Sequence, residues 1–470
     1  MQIPFDNSYA RLPDRFFTRM TPVPVRAPHL IAFNAPLAAE LGITPADDTT
    51  LAQVFAGNQI PKGADPLAQA YAGHQFGGFS PQLGDGRANL LGEVVRDGHR
   101  VDIQLKGSGP TPYSRMGDGR AWMGPVLREY VLSEAMHALG IPTSRALAAV
   151  ATGETVYREP GAMPGAILTR VAASHIRVGT FQYLAARRDT DGLRALYEHV
   201  VDRHYPETTD PADLLSRVID RQARLIAQWM SVGFIHGVMN TDNTTLSGET
   251  IDYGPCAFMD TYHPDTVFSS IDRQGRYAFS NQPNVIVWNM AQLATALVPL
   301  MPDADAAVEA FTEIVHAMPA LTQSYWRQAF GRKIGLTEAT PADETLITGL
   351  LSNMAHGQAD FTNTFRALGD GTAREQFSDP ALFDDWESEW RTRLEQEHEP
   401  HALMRAVNPV VIPRNHRVEQ MIDAAVAGDF APFERLNHVL ARPFKPDPDA
   451  ADLRRPPQSS EIVHQTFCGT

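Results

Sequence analysis

The chain has 470 residues, of which 43% are hydrophobic and 20% charged, a composition typical of a globular protein with a large buried core. Its 40 Lys and Arg against 55 Asp and Glu leave a net charge of −15. This charge argues against a general nucleic-acid binder, because such proteins need basic surface to neutralise phosphates. With two cysteines the fold cannot depend on disulfides, so we expect a reducing compartment.

The two segments that could direct the chain to a membrane do not fit that role. Asp6 and Arg11 interrupt the N-terminal region where a secretory signal peptide would be apolar. The longest uncharged stretch, residues 277–302, contains five Asn and Gln residues and three prolines, which argues against a membrane span. We therefore expect a cytoplasmic, monomeric protein that binds neither membranes nor nucleic acid.

Strand patterns come first along the chain. Two strands joined by a turn, an amphipathic helix and two further strands are predicted at residues 90–95, 101–106, 123–139, 146–152 and 166–171. The pattern turns helical after Thr180, with apolar residues three or four apart over 214–232.

Strands followed by helices predict an α+β fold of two lobes. We expect a strand-rich lobe over residues 1–175 and a mainly helical lobe over 176–470, with the boundary between 172 and 180. The segment 442–458, rich in Pro and Asp, is predicted to be loop.

Positive charge is concentrated in one part of this acidic chain. Residues 84–188 carry 13 Lys and Arg against 9 Asp and Glu, whereas the remainder has 27 against 46. A basic segment inside an acidic chain is a candidate anion site, with chance clustering as the alternative.

The sequence Gly-Asp-Gly-Arg-Ala occurs twice, at 84–88 and 117–121. Neither copy completes the GxGxxG pattern, and alone each would indicate only a turn. The first copy, however, leads into the strand pair that ends at Lys106. A glycine-rich turn before a strand that presents a lysine is how a kinase covers and clamps triphosphate oxygens. Glu129, on the predicted helix, follows in the order that a kinase requires.

A second informative stretch begins at His236 and fits part of the kinase pattern HRDxxxxN followed by DFG. Asn243 occupies the metal-binding Asn position, and Asp-Tyr-Gly at 252–254 matches DFG. Such amide and carboxylate oxygens suit a hard divalent cation beside phosphates. The mismatch is Val238, which stands in place of the catalytic Asp and cannot accept a proton. Asp242 is the nearby carboxylate able to replace it.

Together these segments resemble the selenoprotein O family and its bacterial relatives. The motifs that carry the resemblance extend over nearly the whole chain: YAGHQFG at 71–77, QLGDGR at 82–87, QLKGSGPTPYSR at 104–115, HGVMNTDN at 236–243, IDYGP at 251–255, NPVVIPRNH at 408–416 and TFCGT at 466–470.

The resemblance implies a protein-kinase-like fold that acts as a metal-dependent protein adenylyltransferase. Such a protein binds ATP flipped relative to kinases and transfers AMP to Ser, Thr or Tyr hydroxyls of protein substrates. Asp242 would be the proton acceptor, and Asn243 and Asp252 would ligate Mg²⁺ or Mn²⁺. The residues that the resemblance assigns to the nucleotide site are Gly84, Gly86, Arg87, Lys106, Asp118, Gly119, Glu129, Arg170, Arg177 and Asp252, with Glu129 positioning Lys106.

The resemblance also concerns the two cysteines. Members of the family carry a redox-active Cys or selenocysteine near the C-terminus, and Cys468 matches it. A disulfide to Cys256 would tie the C-terminus to the segment after Asp-Tyr-Gly, although in some relatives the partner lies nearer the position of Phe268. Two unrelated reduced thiols are the alternative.

Three other functions stay open. The first is uridylylation with UTP, since the sequence does not specify the base. The second is ordinary phosphotransfer, against which Val238 speaks. The third is an inactive nucleotide-binding scaffold, which would not need to retain Lys106, Asn243 and Asp252. The sequence has no HExxH, paired CxxC, GxSxG or GxxxxGK[ST], so zinc hydrolases, serine esterases and P-loop enzymes lack their signatures.

Overall fold

The protein, represented by a computed structural model that describes residues 1–159 and 161–467, is a mixed α/β structure with one large antiparallel sheet and many helices. The strands are Phe17–Arg19 (β1), His29–Phe33 (β2), Leu67–Gln69 (β3), Gly73–Gln75 (β4), Gly78–Ser80 (β5), Ala88–Arg96 (β6), His99–Lys106 (β7), Ala121–Trp122 (β8), Arg145–Arg158 (β9), Gly161–Ala172 (β10), Phe234–Ile235 (β11) and Ala257–Phe258 (β12).

Most of the helices follow the sheet along the chain. They are Ala35–Glu40 (α1), Asp48–Phe55 (α2), Met123–Ala138 (α3), Val178–Ala186 (α4), Thr190–His204 (α5), Pro211–Ser231 (α6), Gln282–Leu297 (α7), Ala304–Lys333 (α8), Glu344–His356 (α9), Phe361–Asp370 (α10), Ala381–Leu394 (α11), Pro400–Val407 (α12), Asn415–Val426 (α13), Ala431–Leu440 (α14) and Ala451–Arg454 (α15). Strands before helices is the order that the sequence predicts.

The large sheet has the strand order β1-β3-β6-β7-β10-β9-β2, with β8 added against β10. The predicted turn between β6 and β7 is a two-residue hairpin at Asp97 and Gly98, whose φ angles are 50° and 80°. Two successive positive φ angles match the right-handed twist of a hairpin, and Asp-Gly is a preferred sequence for such turns. This tight turn fixes the register that brings Lys106 to the end of β7.

Helices pack on both faces of this sheet. Residues of α1 and α2 share a core with one face, and residues of α3 share the larger core with the other. Because both faces are covered, the first seven residues of β6 are buried, the polar Asn89 and Glu93 among them. Glu129, on the buried side of α3, thereby faces the sheet that carries Lys106.

Two sequence predictions need correction. The strands β9 and β10 are about twice as long as predicted, because their distal halves form a partly exposed ribbon that lacks an apolar run. The tail predicted as loop contains α15, in which Leu453 is buried; Ala450, directly before this helix, is buried as well. Among the residues that the structure describes, no helix has the length and apolarity needed to cross a membrane.

Candidate active site

A cleft of about 950 Å³ opens beside the end of β7. Every residue that the sequence analysis assigned to the site lines this cleft except Glu129: Gly84, Gly86, Arg87, Lys106, Asp118, Gly119, Arg170, Arg177, Asp242, Asn243 and Asp252. The sheet and its loops supply the residues up to Arg170, whereas Asp242, Asn243 and Asp252 come from the helical part of the chain. The cleft therefore brings the two predicted groups of residues together.

The first glycine turn forms one wall of the cleft and packs against the segment 111–114. A Cβ atom on Gly84 would collide with the ring of Tyr113, and one on Gly86 would lie 2.9 Å from the carbonyl oxygen of Tyr113. Thr111 Oγ1 donates a hydrogen bond to the carbonyl oxygen of Asp85 at 2.7 Å. These glycines are thus required by close packing of two loops, which holds the wall of the cleft in place.

Lys106 and Arg170 form a buried network of charges at the base of the cleft. Lys106 Nζ lies 2.6 Å from Glu129 Oε2 and 2.7 Å from Asp252 Oδ1. Arg170 Nη1 lies 3.3 Å from Glu129 Oε1 and 2.7 Å from Asp252 Oδ1, and Arg170 Nη2 donates to Gln104 Oε1 at 2.5 Å. Glu129 sits behind both cations and fixes them, which explains why it does not line the cleft itself.

Arg177 is held less closely than Lys106 and Arg170. Its Nη atoms lie 3.4 Å from Asp85 Oδ1 and 3.8 Å from Asp252 Oδ2, and its Nε has no hydrogen-bond partner among the described residues. The guanidinium lies over the ring of Tyr71, 4.2 Å from the ring centroid. A buried cation with long contacts retains donors for an anion such as phosphate. Arg87, which is half-buried, also lines the cleft and has no carboxylate partner within the part of the chain that the structure describes.

Asp252 lies at the centre of the network, in a left-handed backbone conformation with φ 63°. Burial alone would raise the pKa of its carboxyl group, but Lys106, Arg170 and Arg177 outweigh that effect and hold the pKa well below its usual value. Asp252 is therefore an anion throughout the physiological range of pH.

Asn243 and Asp252 fit a divalent cation shared with phosphates. Asn243 Nδ2 donates to the carbonyl oxygen of Val238 at 3.0 Å, which leaves the amide oxygen of Asn243 available. Within residues 1–159 and 161–467, the contact of Asp252 Oδ2 with a charged side chain is the one with Arg177, at 3.8 Å. No group of three or more His, Cys, Asp or Glu residues able to hold a metal ion occurs among the described residues. Mg²⁺ is usually held by one or two protein oxygens together with substrate phosphates, so this pair suffices.

Asp242 is buried beside the network and is not paired with a cation. Its Oδ2 accepts a hydrogen bond from Gln75 Nε2 at 3.2 Å, and its Oδ1 is buried without any partner among the residues described. Burial raises the pKa of this carboxyl group to about 6. An unpaired carboxylate oxygen with a raised pKa is suited to take up a proton.

The hairpin of β4 and β5 holds the loop that carries Asp242. The amide of His74 donates to Thr241 Oγ1 at 2.7 Å, and the amide of Phe76 donates to Asn240 Oδ1 at 3.2 Å. Gly73 of the same hairpin packs so closely that a Cβ atom there would lie 2.6 Å from Asp242 Oδ1. No role was predicted for this hairpin, although β4 and the turn after it lie within the YAGHQFG motif.

His236 links the same loop to the segment before Asp252. Its Nε2 lies 2.9 Å from the carbonyl oxygen of Ile251, and its amide donates to Gln282 Oε1 at 3.1 Å. Burial lowers the pKa of His236, so the ring is neutral and can donate this hydrogen bond to Ile251. The histidine is thus a structural brace for the two residues predicted to bind metal.

The second Gly-Asp-Gly-Arg-Ala copy lines the other side of the cleft. Asp118 is neutralised by Arg158, with contacts of 2.8 and 2.9 Å, and its Oδ1 also accepts from the amide of Arg120. Arg158, at the end of β9, was not predicted from the sequence. Asp118 therefore shapes this loop rather than offering a free carboxylate to a ligand.

Of the two cysteines, the structure describes Cys256. Cys256 is fully buried, and burial raises the pKa of its thiol to about 12, so it is a poor nucleophile. Cys468 lies outside the described residues. The chain just before it is placed against the segment after Asp-Tyr-Gly: the amide of Thr466 donates to the carbonyl oxygen of Phe268 at 2.8 Å, and Thr466 Oγ1 donates to that of Pro255.

Similar sequences among known proteins identify the family of this chain. Residues 1–441 match the sequence model of the family described as protein adenylyltransferase SelO. The chain is 65% identical to the protein nucleotidyltransferase YdiU of Ruegeria sp. (strain TM1040), over the full length of both chains. It is also 57% identical to the protein nucleotidyltransferase YdiU of Bradyrhizobium diazoefficiens, again over the full length of both. The chain therefore belongs to the SelO family of protein adenylyltransferases.

Proposed function

We propose that this protein is a metal-dependent protein adenylyltransferase that transfers AMP from ATP to Ser, Thr or Tyr hydroxyls of other proteins. The observation that carries the proposal is the place of Asp242. A buried carboxylate with an unpartnered oxygen shares one cleft with three cations, Lys106, Arg170 and Arg177, while Val238 removes the base of an ordinary kinase.

The proposal includes a protein-kinase-like architecture of two lobes, residues 1–175 and 176–470. This architecture is supported by the fact that two different parts of the chain supply the residues of the cleft. Lys106 and Arg170 come from the antiparallel sheet, which ends at Ala172, and Asp242 and Asn243 come from the part after α4 begins at Val178. The sequence order of lysine, helix glutamate, asparagine and Asp-x-Gly matches that of kinases.

The arrangement of charges suits a nucleotide bound with its β- and γ-phosphates against the cations. Arg177 and Arg87 retain donors for phosphate oxygens, and Lys106 and Arg170 add positive charge held in place by Glu129. In this pose the α-phosphorus faces the acceptor hydroxyl and pyrophosphate is the leaving group. Positioned cations that neutralise developing charge on the leaving group supply most of the rate in phosphoryl transfer, and we extend that argument to nucleotidyl transfer.

The transfer step is an in-line displacement at the α-phosphorus. The acceptor oxygen forms a new bond to phosphorus, the bond from that phosphorus to the bridging α,β-oxygen breaks, and pyrophosphate leaves with the bonding electrons. The carboxylate of Asp242 receives the proton of the acceptor hydroxyl. Gln75 holds Asp242 Oδ2 and Gly73 packs against Oδ1, so the orientation of the carboxylate is fixed.

Asn243 and Asp252 would hold Mg²⁺ or Mn²⁺. When bound, such an ion neutralises triphosphate charge and helps to orient the α-phosphate. The residues of the chain keep their own roles beside it: Lys106 and Arg170 hold Asp252 in place, and Val238 holds the side chain of Asn243 through its carbonyl oxygen.

ATP is proposed as the donor because the matching family model is described as an adenylyltransferase. The relatives' printed name, protein nucleotidyltransferase, specifies no base, so uridylyl transfer from UTP is the close alternative.

Label transfer tests the proposal directly. The purified protein would be incubated with Mg²⁺ or Mn²⁺, a mixture of Ser-, Thr- and Tyr-containing peptides, and ATP labelled at either the α- or the γ-phosphate, with α-labelled UTP in parallel. We expect label from the α position alone, lost in Asp242→Asn and retained in Asp423→Asn, an exposed carboxylate on α13. Label from the γ position would identify a kinase, and no label from any donor would favour a nucleotide-binding scaffold.

A further inference from the structure

Three large apolar side chains are exposed at the mouth of the cleft. Phe76, Met116 and Ile271 all line it, with 39%, 102% and 55% of their surface accessible. They belong to three separate segments of the chain, which the fold brings to one cleft. Exposed apolar residues gathered in one place mark an interaction surface more often than scattered ones do.

Phe76 is held in a conformation that disfavours its own side chain. The hairpin of β4 and β5 closes with Gln75 opposite Gly78, so Phe76 and Gly77 form a two-residue turn with φ angles of 51° and 85°. Such turns favour Asn or Gly at the first position, and a bulky aromatic residue with positive φ is an outlier. Strain of this kind persists where surrounding contacts enforce it, and it is concentrated at functional sites.

The surroundings of Phe76 do enforce its position. Its amide donates to Asn240 Oδ1 at 3.2 Å, and its ring packs edge-on against Tyr277 with 5.2 Å between centroids. Tyr277 Oη donates to the same Asn240 oxygen at 2.6 Å. An apolar ring is thus fixed at the opening, although an Asn at this position would make the same turn with less strain.

Phe76 lines the same cleft as the proposed base, Asp242. The preceding residue, Gln75, donates to Asp242 Oδ2 at 3.2 Å. An acceptor hydroxyl that gives its proton to Asp242 therefore brings the neighbouring residues of its own chain to Phe76. The cations that attract the nucleotide lie deeper, since Lys106, Arg170 and Arg177 are buried whereas the three apolar side chains are exposed.

We propose that Phe76, together with Ile271 and Met116, selects the acceptor: it binds an extended segment in which a bulky apolar residue adjoins the Ser, Thr or Tyr that is modified. This inference rests on the proposed function and specifies its protein substrate. Phe76 acts as a specificity residue that contacts the acceptor, and apolar contact with the neighbouring side chain brings the hydroxyl to Asp242.

A positional peptide series tests the inference. Each peptide carries one central acceptor hydroxyl, and the residues on either side are varied in turn between Leu and Ser. The readout is the ratio of α-label transfer from ATP between the Leu and Ser peptides. For the wild-type protein we expect a ratio of about tenfold at one flanking position, the discrimination typical of a small difference in apolar burial.

Phe76→Asn should lower the ratio of label transfer between the Leu and Ser peptides to about one, because the apolar contact that favours Leu is lost. Ile271→Asn should lower the ratio in part. Asn-Gly is itself a preferred turn sequence, so the hairpin should be retained. Phe76→Ala provides a second variant should the asparagine alter folding, which circular dichroism would reveal. The matched control is Val308→Asn on α8, another exposed apolar residue that does not line the cleft, for which the ratio should stay at the wild-type value.

The outcomes separate the two proposals. The inference would be overturned if the ratio of label transfer between the Leu and Ser peptides is unchanged in Phe76→Asn. It would also be overturned if the wild-type protein transfers label equally to both kinds of peptide. Either result would leave the proposed function standing. A wild-type protein that transfers no α-label to any peptide would overturn the proposed function, and the inference with it.

Discussion

The contact between Gly73 and Asp242 allows a sharp test of how the base is positioned. A Cβ atom on Gly73 would lie 2.6 Å from Asp242 Oδ1 and 3.0 Å from its Cβ and Cγ atoms. Ordinary carbon contacts are about 3.5–4.0 Å, so Gly73→Ala must displace the carboxylate by about 1 Å. Displacement of a catalytic group by about 1 Å costs on the order of 100-fold in rate, or about 2.7 kcal/mol of transition-state stabilisation.

Gly78→Ala is the matched control in the same hairpin. A Cβ atom at Gly78 would lie 3.5 Å from the carbonyl oxygen of Gln75, which is ordinary contact. Neither glycine has a left-handed φ, so backbone strain does not differ between the two variants. The assay is kcat for α-label transfer at saturating ATP and peptide, with KM for ATP measured in parallel.

We expect Gly73→Ala to lose about two orders of magnitude in kcat while KM for ATP stays near the wild-type value, because a displaced base affects the chemical step rather than nucleotide binding. Gly78→Ala should retain nearly full kcat. Equal turnover in the two variants would refute the assignment of Asp242 as the group that accepts the proton.

Two further predictions concern stability and metal use. Burial lowers the pKa of Lys333 from 10.5 to about 7. Between these two pH values the unfolded chain binds more protons than the folded protein, so the free energy of unfolding rises with pH. Two contacts of Lys333 Nζ favour the ammonium form and oppose the shift: the centroid of the Phe365 ring lies 4.2 Å from it and Asn408 Oδ1 lies 2.8 Å from it. The free energy of unfolding should therefore rise by about 1–3 kcal/mol from pH 7 to 10. Urea unfolding should show this rise in the wild-type protein and not in Lys333→Met. If the free energies of unfolding of the two proteins depend on pH in the same way, the prediction is wrong. Asn243→Ala should raise the Mg²⁺ concentration needed for half-maximal transfer by about 10-fold or more, as expected for loss of one metal ligand, and an unchanged metal titration would remove Asn243 from the metal site.

The parts of the site that could be predicted are those whose residues follow a fixed order along the chain. Lys106 and Glu129 are 23 residues apart, at the end of a strand and on the next helix, and the pairing of such elements is local enough to show in the sequence. Asp242 is predicted as the base by elimination, since Val238 stands in place of the usual Asp. The 2.6 Å contact between Lys106 and Glu129 is consistent with the role predicted for Glu129 in positioning the lysine.

The parts that could not be predicted depend on contacts between distant segments. Gln75 and Asp242 are separated by 167 residues, and Asp118 and Arg158 by 40. Neither pair has a local pattern that distinguishes it from solvated polar residues. Lys333, buried against Asn408 and two phenylalanine rings, likewise has the sequence context of a surface lysine at a helix end.

The balance of charges at the base of the cleft has a consequence for how ligands enter. Lys106, Arg170 and Arg177 already face Glu129, Asp252 and Asp85, so the network is electroneutral before anything binds. A bare triphosphate would add unbalanced negative charge, and a lone divalent cation would add unbalanced positive charge beside three cations. Each ligand should therefore increase the affinity for the other, so that nucleotide and metal enter as a thermodynamically coupled pair.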